Sequence, residues 1–182
     1  MTLEGPDEEW TRQADGRLFR RAARVVVLDE DDRLLLVQGH DIDEPTQRWW
    51  FTVGGGIAPD ESDAAGALRE LAEETGLILD ESRLEGPVIT RTAEFPFLGD
   101  VCRQDEVFYL TRVTLSEAAA PLSRAGWTDV ETSFVDEIRW WHLADLRASA
   151  GTVYPVELPD LVESLLPGWD GRCVDLGVQQ DD

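Results

Sequence analysis

The chain has 182 residues, a length that suits one domain. Its apolar fraction is 42%, with seven Trp and six Phe, which is enough for a packed core and argues against wholesale disorder. The formal net charge is -22 and every basic residue is Arg, so general nucleic-acid binding is excluded by repulsion, while a small phosphorylated ligand held by a local Arg or a divalent metal is not.

Residues 1–19 are polar and mixed, and read as an N-terminal arm anchored by Trp10 or Phe19. They hold no apolar run of the kind a secretory signal needs. The β-branched stretch 22–28 and the apolar stretch 33–38 flank an acidic turn at Asp29 to Asp32, and together predict a hairpin. A polar loop containing Pro45 follows over 40–48. Trp49 to Val53 is the next strand, and it runs into Gly54, Gly55 and Gly56, which read as a turn.

Residues 62–75 predict a helix, because Ala64, Ala65, Leu68, Leu71 and Ala72 form one apolar stripe. Asp60 or Ser62 caps its start and Gly76 its end. Strands are predicted over 87–92, 106–113 and 137–143, with a polar loop between the last two at 114–135. A closing helix spans 158–166, with Pro159 in its first turn. Residues 169–182 read as an acidic tail, frayed over 170–182. The expected organisation is an arm over 1–19, a folded domain over 20–168 and that tail. Irregular alternation of strand and helix favours an α+β or α/β/α sandwich over a doubly wound sheet.

Glu70, Glu73 and Glu74 lie three and four residues apart, on adjoining positions of one helical side. Glu61 stands just ahead of the helix and can bend back to the same region. Such carboxylates repel one another unless a cation offsets them, and hard divalent ions such as Mg²⁺ or Mn²⁺ take oxygen ligands. Arg69 is placed to hold one of them, and the glycines let backbone come close. The competing reading is a solvated acidic face on an acidic protein.

Outside this cluster, Arg20, Arg21 and Arg24 form the densest basic patch. Arg20, Arg24 and Arg91 are candidates for gripping substrate, the alternative being surface charge balance. Trp49 and Trp50 point to opposite faces of their strand; one packs the core and the other, Trp50 by choice, is a candidate to line the substrate cleft, the alternative being a core role for both. His40 and His142 do not form a metal pair. Cys102 and Cys173 make no CxxC pattern, which fits free thiols in a reducing cytoplasm. No apolar stretch approaches the ~20 residues a membrane span needs.

The glycine–helix segment resembles the signature of the Nudix hydrolases, matched at Gly55, Glu61, Arg69, Glu70, Leu71, Glu73, Glu74, Gly76 and Leu77. Val53 and Ala58 depart from the family's usual Pro and Glu, and neither removes a carboxylate. The resemblance implies an α/β/α sandwich around a mixed sheet, in a Nudix domain over 20–168. It implies hydrolysis of the pyrophosphate link in a nucleoside diphosphate derivative with Mg²⁺ or Mn²⁺. By the same resemblance, Glu61, Glu70, Glu73, Glu74 and the Gly54 carbonyl are metal ligands. Glu70 or Glu74 is a candidate base, and Arg69 orients a carboxylate. Some members take a base from a distant loop; Asp129, Glu131 and Asp136 are available here, and Glu131 is the choice. Many relatives are homodimers. The alternative function is a catalytically silent Nudix-fold sensor or regulator that binds a nucleotide.

Overall fold

A computed structural model describes residues 10–41, 44–97, 99–123, 127 and 129–181. A short strand β1 (Thr11–Arg12) precedes β2 (Leu18–Leu28), β3 (Leu34–His40) and β4 (Arg48–Gly56). Helix α1 (Asp63–Thr75) leads through a 3-10 turn (Glu81–Arg83) to the long strands β5 (Glu85–Phe97) and β6 (Asp100–Arg112). Two short helices, α2 (Leu115–Ala118) and α3 (Asp129–Phe134), precede β7 (Val135–Trp141). Then come α4 (Leu143–Ala148), β8 (Thr152–Val153), α5 (Leu158–Leu165) and β9 (Val174–Gln180).

The strands form one mixed sheet in the order β7-β3-β4-β2-β6-β5-β9, with β1 on β2 and β8 on β4. Its spine is a parallel pair in which Leu18–Leu28 of β2 matches Cys102–Arg112 of β6 residue for residue. Alternation along each strand sends successive side chains to opposite faces. Val26, Leu28, Leu36, Trp50, Phe108 and Leu110 therefore meet α4 and α5, while Val25, Val27, Leu35, Val37 and Val53 meet Ala67 and Leu71 of α1. Each fully buried Leu or Val contributes about 1.5–3 kcal/mol, so both helical layers are held chiefly by this double-sided burial. The result is an α+β sandwich with a mixed sheet between helical layers, as expected from the sequence.

The hairpin prediction holds only at its turn. Leu28 pairs with Leu34, and the Asp29 carboxylate closes the turn by accepting from the Asp31 and Arg33 amides. Beyond that point β2 and β3 separate and β4 enters between them, pairing Ala22–Val25 with Gly56–Val53 on one side and Leu36–His40 with Thr52–Arg48 on the other. The glycines are thus strand residues rather than a turn. The stretch 114–135 is not all loop: Thr114 and Glu117 form a capping box that starts α2. Nor does the C-terminal stretch fray. β9 runs parallel to β5, and Arg91 and Glu94 of β5 anchor it through Asp181 and Gln180.

Trp10 packs edge-on against Phe95, and the Arg20 guanidinium sits 4.4 Å from its ring centre, which ties the described end of the arm to the sheet. Cys102 is buried and Cys173 exposed, both as free thiols, and burial pushes the Cys102 thiol up to about 11. Among the described residues no helix is long and apolar enough to cross a membrane.

Candidate functional site

Helix α1 carries the acidic cluster, and its ends are set by local chemistry. The Ser62 hydroxyl accepts from the Ala65 amide, and Gly76, at φ 81°, donates to the Ala72 carbonyl. Gly66, Ala67 and Leu71 turn to the sheet, and so do Glu70 and Glu74, each only 6% exposed. Glu73, one position away, is exposed. The three carboxylates therefore share a side of the helix but not a depth.

What the buried pair meets is the glycine end of β4. Glu74 Oε2 accepts from the Gly54 amide at 2.7 Å. The Glu70 carboxylate lies directly over Gly55, where a Cβ would stand 2.5 Å from its Oε2, so a side chain here would push the carboxylate from this position. Gly54 needs its freedom for another reason: at φ 132° it occupies backbone space that other residues rarely adopt.

Arg69 gathers the rest of the cluster. Its guanidinium donates to both oxygens of Glu61 at 3.0 and 2.9 Å, to Glu70 Oε1 at 2.7 Å, to Glu73 Oε2 at 3.1 Å and to the Gly56 carbonyl at 2.8 Å. Hydrogen bonding from Arg69 holds the Glu61 carboxyl below its usual range, and the same bond raises the Arg69 guanidinium. Glu61 also accepts from the Ala58 amide at 3.2 Å. Among the described residues no group of three or more His, Cys, Asp and Glu is arranged to hold a metal ion. The physical reason is visible: Glu61, Glu70 and Glu73 converge on a guanidinium, and Glu74 faces an amide. The donor chemistry, carboxylate and carbonyl oxygen throughout, remains that of a hard-cation site.

Replacing Arg69 by Met is expected to cost about 2 kcal/mol, since three carboxylates lose a shared, partly exposed partner. The Glu61 share of that cost depends on pH. Its folded-state value is lowered, so its stabilisation is complete above the ordinary Glu value near ~4.3 and disappears as pH falls through the lowered value. Thermal melts from pH 3 to 8 should show the gap between wild type and Arg69→Met at full width near neutrality and narrowing below about pH 4. A gap independent of pH would remove Glu61 as Arg69's partner.

The other predicted residues divide. Arg24 lies on the sheet face opposite α1 and is fully engaged: it donates to Glu106 Oε1 at 2.9 Å, to the Gly54 carbonyl at 2.7 Å and to the Thr52 carbonyl at 3.3 Å. Arg91 is buried and binds Glu106 and both oxygens of Asp181, the latter at 2.9 and 2.8 Å. Arg20 pairs with Gln104 and stacks on Trp10. These guanidiniums are turned inward, to groups of the chain itself. Trp50 is a correction: it is 3% exposed in the core beneath α4 and α5, edge-on to Trp141 at 5.1 Å, because its parity on β4 sends it to the face away from α1. The side chains of Asp129 and Glu131 fall outside the described residues. Asp136 is paired with His40 at 3.0 Å, at the opposite end of β4 from the glycines.

Sequence reading missed Glu106, Asp181 and the Gly56 carbonyl. Glu106 is fully buried between Arg24 and Arg91. Burial pushes its carboxyl up, and the two guanidiniums more than offset that, so it lies below its usual range. Burial raises Asp181 despite Arg91. The one sequence signal was a Glu opening an otherwise apolar strand, EVFYL, where a carboxylate needs a buried cation.

A family model described as the NUDIX domain matches residues 18–159. The chain is similar to the uncharacterized Nudix hydrolase YvcI of Bacillus subtilis (strain 168), 37% identical over 60 residues, 33% of this chain and 35% of that protein. The match thus spans about a third of that relative's length. Among solved structures it resembles the MutT protein from Methanosarcina mazei Go1, with TM-score 0.52, 18% identity, and coverage of 90% of this chain and 95% of that one. The NUDIX domain of Shewanella oneidensis NrtR, complexed with ADP ribose, gives TM-score 0.55 and 20% identity over 80% of this chain and 87% of that one. An ADP-ribose pyrophosphatase from Streptococcus suis 89-1591 gives TM-score 0.55 and 16% identity, covering 85% and 97%. At these identities the structural likeness is one of fold.

Proposed function

The chain belongs to the NUDIX domain family, and from that premise we propose that it hydrolyses the pyrophosphate link of a nucleoside diphosphate derivative with Mg²⁺ or Mn²⁺. Candidate substrates are a nucleoside triphosphate, an ADP-ribose-like compound or a nucleotide sugar. The observation that carries the reading is the burial of Glu70 and Glu74 against Gly54 and Gly55. Burying two carboxylates beside each other is costly, and a fold retains such a pair where charge is put to use.

Glu61, Glu70, Glu73 and Glu74 would hold the metal, whereas the Gly54 carbonyl, expected beside them, is taken by Arg24 from the opposite face of the sheet. When bound, the cation neutralises phosphate oxygens and acidifies water. The chain's own part is positional and basic. Arg69 fixes Glu61 and Glu70, and the Gly54 amide fixes Glu74. Glu70 or Glu74 accepts the proton of the attacking water, and the water attacks one phosphorus in line with the leaving oxygen. Glu131, on the distant loop, is the alternative base.

A silent nucleotide-binding sensor is the second reading, favoured by one observation: Arg69 already supplies a positive charge to three of the carboxylates. Phosphate release from a panel of nucleoside diphosphate derivatives separates the two. With Mg²⁺ or Mn²⁺ at least one substrate should turn over, and chelator should abolish it. Tight nucleotide binding with no turnover under either metal would establish the sensor instead. Cytoplasmic location and a homodimer are part of the same proposal; sedimentation tests the second.

A further inference from the structure

Gly54 is held from two sides by groups far apart in sequence. Its amide donates to Glu74 of α1 at 2.7 Å, and its carbonyl accepts from Arg24 at 2.7 Å. Arg24 comes from the other face of the sheet and is only 13% exposed. It cannot swing away freely, because Glu106 holds its Nε at 2.9 Å. Glu106 is in turn shared with Gln104 and with Arg91, and Arg91 is locked by a two-pronged bond to Asp181, just beyond β9.

The chain of contacts therefore runs Asp181, Arg91, Glu106, Arg24, Gly54, Glu74. Asp181, Arg91, Glu106 and Arg24 alternate in sign and cancel inside the protein, and the third carboxylate, Glu74, meets the Gly54 amide at the far end. Such an arrangement is stable only while every member is present, since removing one strands a charge. The fixed geometry of the guanidinium fork makes Arg24 a rigid strut rather than a mobile arm.

We infer that Arg24 and Glu106 are positioning residues: through the Thr52 and Gly54 carbonyls Arg24 grips the peptides on either side of the Gly54 amide that faces Glu74, and Arg91 with Asp181 couples the C-terminal strand to that grip. Arg24 acts through Gly54 and not on substrate. The catalytic half of this inference rests on the hydrolase reading; the structural half does not.

The test pairs amide exchange with kinetics in the full chain. In Arg24→Met, exchange at the Gly54 amide should quicken by at least ~10-fold while Val26 and Leu110, on the neighbouring core strands, keep wild-type rates. Glu106→Gln should act in the same direction, and Arg24→Lys, which keeps the charge on a single donor nitrogen, should restore part of the protection. Mn²⁺ affinity by calorimetry should fall by about 10-fold in Arg24→Met, and kcat should fall by a similar factor with KM within about 2-fold. Wild-type Gly54 exchange in both Arg24→Met and Glu106→Gln overturns the inference, and so does equal acceleration at Val26 and Leu110, which marks general loosening. Selective Gly54 exchange in a protein with no turnover at all counts against the hydrolase reading and supports the clamp.

Discussion

Glu74→Gln is expected to lower turnover at least ~100-fold while leaving the fold intact. The substitution keeps the side chain's shape, and its amide oxygen can still accept the Gly54 N–H that Glu74 now receives at 2.7 Å. What disappears is one negative charge and one proton acceptor at a site that is 6% exposed. Thermal melting should shift by no more than a few degrees, so loss of activity cannot be laid to unfolding. Glu73→Gln should lower turnover less, because Glu73 is exposed and, among the described residues, bonds Arg69 rather than the glycine strand. Near-wild-type turnover in Glu74→Gln would remove that residue from the site.

Alanine at Gly54 is expected to damage the fold, and alanine at Gly55 the site. At Gly54 a Cβ would overlap the Ala23 carbonyl oxygen and stand 2.7 Å from Arg24 Cα, both backbone of the central strand β2. With φ at 132° there is strain besides, and the two together should cost about 3 kcal/mol or more. At Gly55 the obstacle is the far end of Glu70, 2.5 Å away, which can rotate aside. Gly55→Ala should therefore melt within about 1 kcal/mol of wild type and yet lose most of its turnover. Denaturant unfolding of both variants beside phosphate release checks this. Equal destabilisation of the two would contradict the geometry.

How far these features were legible depends on the range of the forces behind them. Helix α1 was readable to its caps, because Ser62, Gly76 and the apolar stripe act within a few residues. The Nudix signature brought Glu61, Arg69 and Glu70 together correctly, but spacing alone could not separate the buried Glu70 and Glu74 from the exposed Glu73. Three glycines in a row have low strand propensity, and they are strand because Ala22, Ala23 and Arg24 of β2 pair with them across the sheet. β9 has little strand character of its own and is held by Asp181 reaching Arg91 across 90 positions. Arg24 and Arg91 likewise look like surface cations until Glu106 is found between them. Trp50 needed the strand's facing, which sequence gives only up to a choice of two. The capping box Thr114–Glu117 was legible and went unread.

The parallel seam between β2 and β6 also bears on how the chain comes off the ribosome. Val25 has its β4 partner, Val53, within a short stretch of synthesis, but its β6 partner is Tyr109. Until then the middle strand carries one bare edge rich in valine, open to pairing with any other nascent chain. Contacts this distant slow the search for the native arrangement. Aggregation during expression should therefore be governed by the wait for residues 102–112, and a co-translational pause beyond that segment would favour recovery of native protein.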